Sequence, residues 1–514
     1  MGVAGDAGVI IGWPVWRMMS REQLIGLVIA QAGQIAALTE SNEQLRAANA
    51  QLGVRLARLE HLLSRNSGNS SMPPSRDDDP GRSAPAPKPR PGRGPTRSRG
   101  KQPGAPGSHL AWVDDPAERV DRFPCGRCGC GRDLADAADL GIVDRYQQHE
   151  IPLVSVAITQ YDQHEVVCRG CGATHVAARP EGARSGPVGY GPNLAAFAVY
   201  LLVVQHIPVE RCVRLLESLT GAKPSVGFVH SLIERAARLL VEVDKRIRTL
   251  ITLARVVCCD ETPLRVGSKT PRPGRKKAEK YLLVACTELY THYLLGDRDL
   301  DTFTKFVFAD LAANGSIVVH DRYHLYDSGK IGEPTHQLCC AHLLRDLDAA
   351  AQTYPDAEWP PQVARALRGL IHATNLARQT GRTAIDTALR DTLIGEFESG
   401  VRVGLSETTR HGNRPGERTT RLLLEMLRDR QPDVLRFTTD PRIPATNNLA
   451  ERDLRPAKTQ QKISGRLTNE AATKDRYRIR GYLSTAAKHG HNVMAAMREA
   501  ILGHPWIPPD PAPA

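Results

Sequence analysis

Apolar residues between positions 20 and 64 recur every seven residues. The recurring positions are Leu24, Leu38, Leu45, Leu52 and Leu59, with Gln31 in the one gap. A second set lies three positions earlier in each repeat, at Val28, Ile35, Asn42, Asn49 and Leu56. This heptad pattern predicts a long helix that pairs with a second copy of the chain, and inner asparagines favour a parallel, in-register dimer. An amphipathic helix packed on its own domain is the alternative.

Residues 65–118 lack any apolar period and are rich in proline, glycine and serine. A segment of this composition cannot bury a core, so we predict a disordered linker. Between Lys88 and Lys101 it carries six basic residues and no acidic one. Such an arm can lie along DNA phosphates without reading sequence, or it can simply keep the linker soluble.

Residues 119–182 have a strand-like pattern interrupted by two pairs of cysteines, Cys125-x-x-Cys128 and Cys168-x-x-Cys171. Four thiolates in two such pairs can surround Zn²⁺ tetrahedrally, and this predicts a small β domain closed by a structural Zn²⁺. Cys130 is a competing ligand, and a set of ordinary thiols is the alternative.

Residues 188–250 have the period of helices, and the apolar run 194–204 predicts a buried one. Two amphipathic stretches flank a turn at 220–225, an arrangement that fits a helix-turn-helix DNA-binding motif as well as plain helical packing.

Residues 251–328 predict the element order β-β-β-α-β. The strands are expected at 255–266, 280–288, 291–297 and from 316, with the helix at 299–313. Asp260 ends the first strand and Asp321 ends the fourth. If these two strands are neighbours, both carboxylates meet at one edge of the sheet, where hard oxygen ligands suit Mg²⁺ or Mn²⁺. Each aspartate alone could also be a turn former or a cap.

Helical patterns without any strand pattern occupy most of residues 329–440, so we predict an all-helical insertion there. The helices are expected at 335–353, 361–380, 384–399 and 419–430. Residues 441–490 return to the sheet domain, and 491–514 form a C-terminal helix and tail. Glu451 lies in the first of these segments, within Asn448-x-x-Glu451, which also fits a helix capping box.

Several residues near these carboxylates could support them or bind DNA. His342 and Arg345 follow Cys339 in a Cys-x-x-His sequence, and we expect both on a helix beside the site, with an incidental buried helix as the alternative. Basic residues that would contact phosphates share the hairpin 268–277 or flank Glu451: Lys269, Arg272, Arg275, Lys276, Lys277, Arg452 and Arg455. Glu261 is expected on the opposite strand face, and His320 in the core.

Charge supports a polyanionic partner. The chain of 514 residues has 68 Lys and Arg against 56 Asp and Glu, a net charge of +12 and a pI of about 9.2. The run 194–204 is shorter than the roughly 20 residues that span a membrane, and residues 8–16 lack the charged start of a signal peptide. We therefore expect a cytoplasmic, nucleoid-associated protein without a membrane partner, whose 11 cysteines are thiols or metal ligands.

Seven of these segments together resemble a known family. In chain order they are RNSGNSSMPPS, the paired Cys-x-x-Cys motifs, GYGPNLAAFAVYLL, VVCCDETPLRV, VVHDRYHLYD, CCAHLLRDL and NNLAERDLRP. The chain resembles the transposases of the insertion sequence 66 (IS66) family, TnpC type, within the DDE superfamily. The resemblance covers most of the chain and implies a multidomain α+β fold with a ribonuclease-H-like catalytic core.

The resemblance also implies a site and a reaction. Asp260, Asp321 and Glu451 would be the catalytic triad and would hold two Mg²⁺ or Mn²⁺ ions about 4 Å apart. One ion would activate water and then the freed 3′-hydroxyl, and the other would stabilise the leaving oxygen. The partners would be the terminal inverted repeats of the element, target DNA, a second copy of the chain and accessory proteins of the same element. A catalytically inactive DNA-binding repressor and a zinc-ribbon scaffold are the alternatives.

Overall fold

The computed structural model describes residues 20–65, 110–151, 154–182, 186–271, 273, 278–410 and 416–510. The chain divides into two units. One comprises Met1–Ala86, Gln163–Val213 and Ser225–Ala514, and the other comprises Pro87–Asp162 and Arg214–Pro224. The predicted disordered linker lies almost entirely outside the described residues, as do Arg272, Arg275, Lys276 and Lys277 of the predicted basic hairpin.

The predicted long N-terminal helix is confirmed as α1, Arg21–Ser64. It begins with a capping box, in which the Ser20 hydroxyl accepts from the Gln23 amide and the Gln23 side chain accepts from the Ser20 amide. Its apolar heptad residues after Leu24 are exposed, with Leu38 70% and Leu45 61% exposed. Burying this face would require a partner, and pairing with a second copy stays a prediction.

The sequence predicted no membrane-spanning segment, but one window of 18 residues in α1 has a mean hydropathy of 1.3. By length and composition alone this helix could cross a bilayer, a test that signal sequences also pass. The asparagines at its inner heptad positions favour the coiled-coil interpretation instead.

The cysteine-bearing segment holds little regular structure. Its two short strands, β1 (Glu165–Val167) and β2 (Thr174–Val176), pair antiparallel. Cys168 lies in the turn between them, where its amide donates to the carbonyl of Ala173 at 2.8 Å. In the other unit the Cys128 amide donates to the Arg132 carbonyl at 2.9 Å, which closes a similar turn. The strand-like pattern of 119–182 therefore predicted more strand than the structure contains.

The helices predicted within 188–250 are confirmed, and they are α2 (Pro192–Val203), α3 (Val209–Thr220), α4 (Val226–Leu239) and α5 (Val241–Thr252). Proline at its first position suits the start of α2, and the Ser225 hydroxyl caps α4 by accepting from the Phe228 amide at 3.1 Å. Most of α2 is buried, as the apolar run predicted. The helix-turn-helix role stays a prediction.

The connection between α2 and α3 contains a buried histidine whose protonation should affect stability. Burial, with the nearby charges of Arg480 and Arg476, lowers the pKa of His206 from 6.5 to about 4. Between these pH values the unfolded chain binds a proton that the folded chain does not, so the stabilisation is complete above pH 6.5 and is lost as pH falls towards 4. The full effect is on the order of 3 kcal/mol.

Replacing this histidine should flatten the acid limb of the stability curve. Asparagine suits the site because residue 206 has a φ of 59°, a left-handed conformation that asparagine tolerates. We expect His206→Asn to lower stability at neutral pH and to reduce its loss between pH 6.5 and 4, measured by urea unfolding at several pH values. An unchanged slope would contradict the assignment.

A five-stranded mixed sheet forms the centre of the first unit. In chain order its region contains β3 (Val256–Leu264), β4 (Lys280–Cys286), β5 (Thr291–Gly296), α6 (Leu300–Thr304), α7 (Phe308–Ala313), β6 (Ile317–His320) and β7 (Thr335–Leu338). The strand order is β5-β4-β3-β6-β7, in which β4 is antiparallel to both of its neighbours, β3 and β5, and β6 and β7 are parallel to β3. The predicted meander and the adjacency of the first and fourth strands are both confirmed.

The strand β7 corrects a prediction. Residues 335–353 were expected to be one helix in an all-helical insertion, but Thr335–Leu338 pair parallel with β6 and α8 covers only Cys340–Thr353. Four residues are too few for a period to distinguish strand from helix. Pairing with β6 decides the conformation, and the buried Gln337 side chain donates to the Val434 carbonyl at 3.0 Å. The helical part of the insertion therefore begins after the sheet ends.

The rest of the insertion is helical, as predicted. It contains α9 (Trp359–Gln379), α10 (Thr387–Glu407), α11 (Glu417–Asp429) and the short unpredicted α12 (Gln431–Leu435). Their core includes the fully buried Trp359, Phe397 and Phe437. The chain then returns to the sheet through α13 (Asn448–Ile463), α14 (Glu470–Lys488) and α15 (Val493–Leu502).

Candidate active site

The parallel pair β3 and β6 brings the two predicted aspartates to equivalent positions. Cys258 is opposite Val319, the last pair of this ladder. Asp260 and Asp321 each lie two residues beyond that pair, so they occupy matching positions on two neighbouring segments of the chain. Neighbouring strands are about 4.8 Å apart, which puts both side chains at the same end of the β3–β6 ladder.

The helix α13 places Glu451 over the same face of β3. Cys258 and Leu264 of β3 share a core cluster with Ala450 and Leu454 of α13. Side chains alternate along a strand, so Asp260 belongs to the face that α13 covers. Glu451 lies in the first turn of this helix, next to the buried Ala450.

A single asparagine fixes the start of α13. The Asn447 side-chain amide donates to the Cys259 carbonyl at 2.8 Å, and its backbone amide donates to the Cys339 sulfur at 3.2 Å. Asn447 is the N-cap residue and makes no side-chain capping bond, while Asn448 is already helical. The capping-box alternative is therefore wrong. Asn447 ties Glu451 to β3 and to the start of α8 instead.

Negative charge accumulates around Asp260. Burial, followed by the charges of Glu261, Asp321 and Glu451, raises the pKa of Asp260 well above 3.8. Its Oδ1 atom accepts from the Glu261 amide at 2.8 Å, and Asp321 Oδ1 accepts from the Tyr323 amide at 2.9 Å. These hydrogen bonds orient the two carboxylates but do not offset their mutual repulsion.

Glu451 lies near a cysteine and a histidine. In the part of the chain that the structure describes, Cys339, His342 and Glu451 have ligand atoms within 4.8 Å of one another, and no such group of three contains Asp260 or Asp321. His342 Nε2 is 4.0 Å from Glu451 Oε1. Asp321 and Glu451 thus act on Asp260 through their charges, but the ligand atoms of these three residues do not all lie within 4.8 Å of one another.

The helix α8 carries both His342 and Arg345 and places His342 beside Glu451. Burial and the charge of Arg345 lower the pKa of His342, against opposing effects of Glu451 and Asp321. His342 Nδ1 is buried and finds no hydrogen-bond partner among the described residues. A neutral imidazole next to Glu451 can orient its carboxylate without adding charge.

Comparison with known protein families decides the identity of the chain. The sequence model of the transposase IS66 family matches residues 188–475, more than half of the chain. The chain belongs to the IS66 family of transposases. A family of unknown function (DUF6444) matches residues 29–111, and no curated protein matches the chain. Membership implies an enzyme that binds and cleaves DNA.

An open pocket of the transposase beside Asp321 contains residues that the sequence did not indicate. It is lined by Arg298, Asp321, Arg322, Tyr323 and His342. The Arg298 guanidinium lies 3.5 Å from the centre of the Tyr323 ring and donates to Glu261 Oε1 at 2.6 and 3.0 Å. Arg298 contacts Glu261 and Tyr323, which are distant from it in the sequence. No local sequence motif therefore indicates Arg298.

Glu261 lies on the strand face opposite Asp260, as expected. Its side chain is 1% exposed, and its Oε2 atom accepts from the Tyr326 hydroxyl at 2.8 Å. Burial and the charge of Asp321 raise the pKa of Glu261, while Arg298 and Tyr326 act in the opposite direction. The carboxylate is thus occupied by protein donors and holds Arg298 at the pocket.

His320 of the transposase is a core residue, as predicted. It is fully buried, its ring stacks on Tyr326 at 4.3 Å, and its Nε2 atom is 3.0 Å from His336 Nδ1. Asp327 completes a second group of three close ligand atoms. Arg430 already pairs with Asp327 at 2.9 Å, and its positive charge disfavours a cation at this group.

The cysteines of the predicted Zn²⁺ site lie in both units, Cys125 and Cys128 in one and Cys168 and Cys171 in the other. Hydrogen bonds from Cys130 lower the pKa of Cys128, and those from Cys171 and Gly170 lower the pKa of Cys168. Turn amides therefore favour the thiolate forms that ligate metals. The assembled four-thiolate site stays a prediction.

Predicted phosphate contacts of the transposase are exposed where the structure describes them. Lys269, Arg452 and Arg455 are exposed, and the two arginines lack ion pairs within the described part of the chain. The loop that carries Lys269 is held by Arg466, which donates to the carbonyls of Ser268 at 3.0 Å and Ala278 at 2.9 Å.

Proposed function

We propose that this transposase cleaves and joins DNA strands with a DDE triad of Asp260, Asp321 and Glu451. The observation that carries the proposal is the matching position of the two aspartates, each two residues beyond the last pair of the parallel β3–β6 ladder, with Glu451 on the helix over the same face. The strand order, in which three antiparallel strands precede two parallel ones, supports a ribonuclease-H-like core.

The triad fits a divalent cation. Its donors are carboxylate oxygens only, the ligands that Mg²⁺ and Mn²⁺ prefer. Burial, followed by the charges of Glu261, Asp321 and Glu451, raises the pKa of Asp260, and a bound cation would offset both the buried charge and the repulsion. When bound, such ions activate the attacking hydroxyl and stabilise the leaving oxygen of a phosphodiester.

The chain's own residues would position the DNA and the triad. Arg298 would bind phosphate oxygens near Asp321, because it lines the same pocket and is held in place by Glu261. Arg345, whose charge acts on His342, would support the site from α8. His342 would orient Glu451. Arg452 and Arg455 would contact the DNA outside the site.

The remaining segments would assemble the active complex. We propose a homodimer or higher oligomer formed through α1, a structural Zn²⁺ held by Cys125, Cys128, Cys168 and Cys171, and contacts from Lys269 and the other basic residues of 268–277 to DNA. Residues 188–250 would contribute a helix-turn-helix. The protein would act in the bacterial cytoplasm near the nucleoid, with accessory proteins of the same element.

Strand cleavage at the element ends tests the function. Purified protein is incubated with DNA that carries both ends of its mobile element, with Mg²⁺, with Ca²⁺ or with a chelator. We expect nicks that leave 3′-hydroxyl ends at the element boundary with Mg²⁺ alone, followed by joining to target DNA. Binding of the ends without any cleavage by Mg²⁺- or Mn²⁺-loaded protein would favour the alternative, an inactive repressor derived from a transposase.

A further inference from the structure

The helix that carries Glu451 has an exposed basic face. Residues 451, 455, 458 and 462 are spaced by four, three and four positions, which places them within about 60° of one another around a helix of 3.6 residues per turn. Glu451 begins this line, and Arg455, Lys458 and Lys462 continue it, all three of them exposed. We call these three residues the α13 track.

No negative charge of the helix neutralises the α13 track. The helix has two acidic residues, of which Glu451 belongs to the proposed triad and Asp453 is buried in a 2.7 Å pair with Lys488. None of the three track side chains forms an ion pair or side-chain hydrogen bond within the described residues. An unpaired row of cations on one face is complementary to a row of phosphates.

The α13 track leads from the carboxylates to the loop of the predicted basic hairpin. At its far end the Gln461 side chain donates to the Pro263 carbonyl at 3.0 Å and accepts from the Arg265 amide at 3.3 Å. Three residues beyond the helix, Arg466 holds the base of this loop, where Lys269 is exposed. From Glu451 to Lys462 the helix rises about 16 Å, the length of about five base pairs of duplex.

We propose that the α13 track binds the phosphates of duplex DNA as it leaves the carboxylate site towards Lys269. The proposal rests on the proposed function, which assigns Glu451 at the start of the α13 track to the catalytic triad. It adds Lys458 and Lys462, which no motif indicates, and it gives the direction in which one flank of the DNA runs. The contacts carry charge without reading sequence.

Salt dependence of DNA binding tests the α13 track. The full chain, a Lys458→Gln/Lys462→Gln variant and an Arg365→Gln/Arg402→Gln control are compared by fluorescence anisotropy on a mixed-sequence duplex of about 30 base pairs. The control removes the same charge from exposed arginines of α9 and α10 whose side chains form no ion pair or hydrogen bond within the described residues. Measurements run from about 50 to 200 mM salt without divalent ions. Circular dichroism melting checks that both variants fold.

Each lost phosphate contact should reduce the slope of log affinity against log salt by about 0.9. We expect the track variant to lose about two units of slope and at least about tenfold in affinity at the lower salt concentration, and the control to match the unchanged protein. Equal slopes for the two double variants would overturn the proposal. Failure of the proposed function would appear instead as absent Mg²⁺-dependent cleavage, which leaves these slopes as they are.

Discussion

Replacing Asp260 with asparagine is expected to abolish strand cleavage and, at the same time, to stabilise the metal-free transposase. Removing one group that stabilises transition-state charge costs about 10²- to 10³-fold, and a ligand that holds the ion should cost at least as much. The stabilisation arises because burial, followed by the charges of Glu261, Asp321 and Glu451, disfavours the ionised form of Asp260 and raises its pKa. An uncharged amide keeps the shape and removes both the buried charge and the repulsion, a gain on the order of 1 kcal/mol.

The sign of the pH dependence follows from the raised pKa. The folded protein keeps a proton on Asp260 at pH values where the unfolded chain, with a pKa near 3.8, has lost it. Stability of the metal-free protein therefore falls as pH rises from about 4 through the raised pKa. Asp260→Asn removes this loss. The difference in melting temperature between variant and unchanged protein should grow with pH across that window.

Mg²⁺ should reverse the comparison. A ligand that binds only the folded state stabilises it, so Mg²⁺ should raise the melting temperature of the unchanged protein and leave Asp260→Asn unaffected. Glu261→Gln is the matched control, because Glu261 neighbours Asp260 but its side chain contacts Arg298 and Tyr326. We expect the control to retain cleavage within about tenfold and to respond to Mg²⁺. A cleaving Asp260→Asn protein would eliminate the triad.

The sheet could be predicted where buried apolar runs meet an acid. The runs before Asp260 and Asp321 indicated β3, β6 and the candidate ligands. The expectation that Asp260 ends its strand was wrong, because β3 continues to Leu264 along its ladder with β4. β7 was missed because its four residues have no period of their own and continue directly into the helical pattern of α8, so only its ladder with β6 makes it a strand. Glu451 required the family resemblance, since 130 residues separate it from Asp321.

Packing also overrode a local pattern between β5 and β6. The single helix expected at 299–313 is broken into α6 and α7. Phe303 and Phe308 stack at 5.4 Å, and Phe306 meets Phe308 edge-on at 5.6 Å, with all three rings buried. One continuous helix would direct Phe303 and Phe308 to nearly opposite sides, so the break lets all three rings enter one core.

The most consequential contact that no pattern could indicate joins α13 to α14. Lys488 donates to Asp453 Oδ2 at 2.7 Å, and both side chains are at most 10% exposed. The same oxygen accepts from the Thr291 hydroxyl at 2.8 Å, and Lys488 also donates to the Thr287 and Tyr290 carbonyls of the β4–β5 turn. Asp453 lies two residues after Glu451, so this network fixes the helix that carries the glutamate.

Breaking this buried pair from one side should be strongly destabilising. Lys488→Met leaves the Asp453 carboxylate buried without its cation, which costs about 3–5 kcal/mol and about 10 °C in melting temperature. Asp453→Asn in that background removes the uncompensated charge and keeps an acceptor for Thr291. We therefore expect the double variant to be more stable than Lys488→Met alone, with a coupling energy of about 2–3 kcal/mol in a double-mutant cycle.

An exposed pair provides the contrast that makes the cycle decisive. Arg368 and Asp348 are 3.1 Å apart, but their side chains are 53% and 47% exposed, so solvent screens them. Their coupling in an Arg368→Met/Asp348→Asn cycle should be below about 1 kcal/mol. Equal couplings for both pairs would mean that Lys488 and Asp453 do not anchor α13. If they do, Lys488→Met should also slow Mg²⁺-dependent cleavage at a temperature where the variant is folded, because Glu451 moves with the helix.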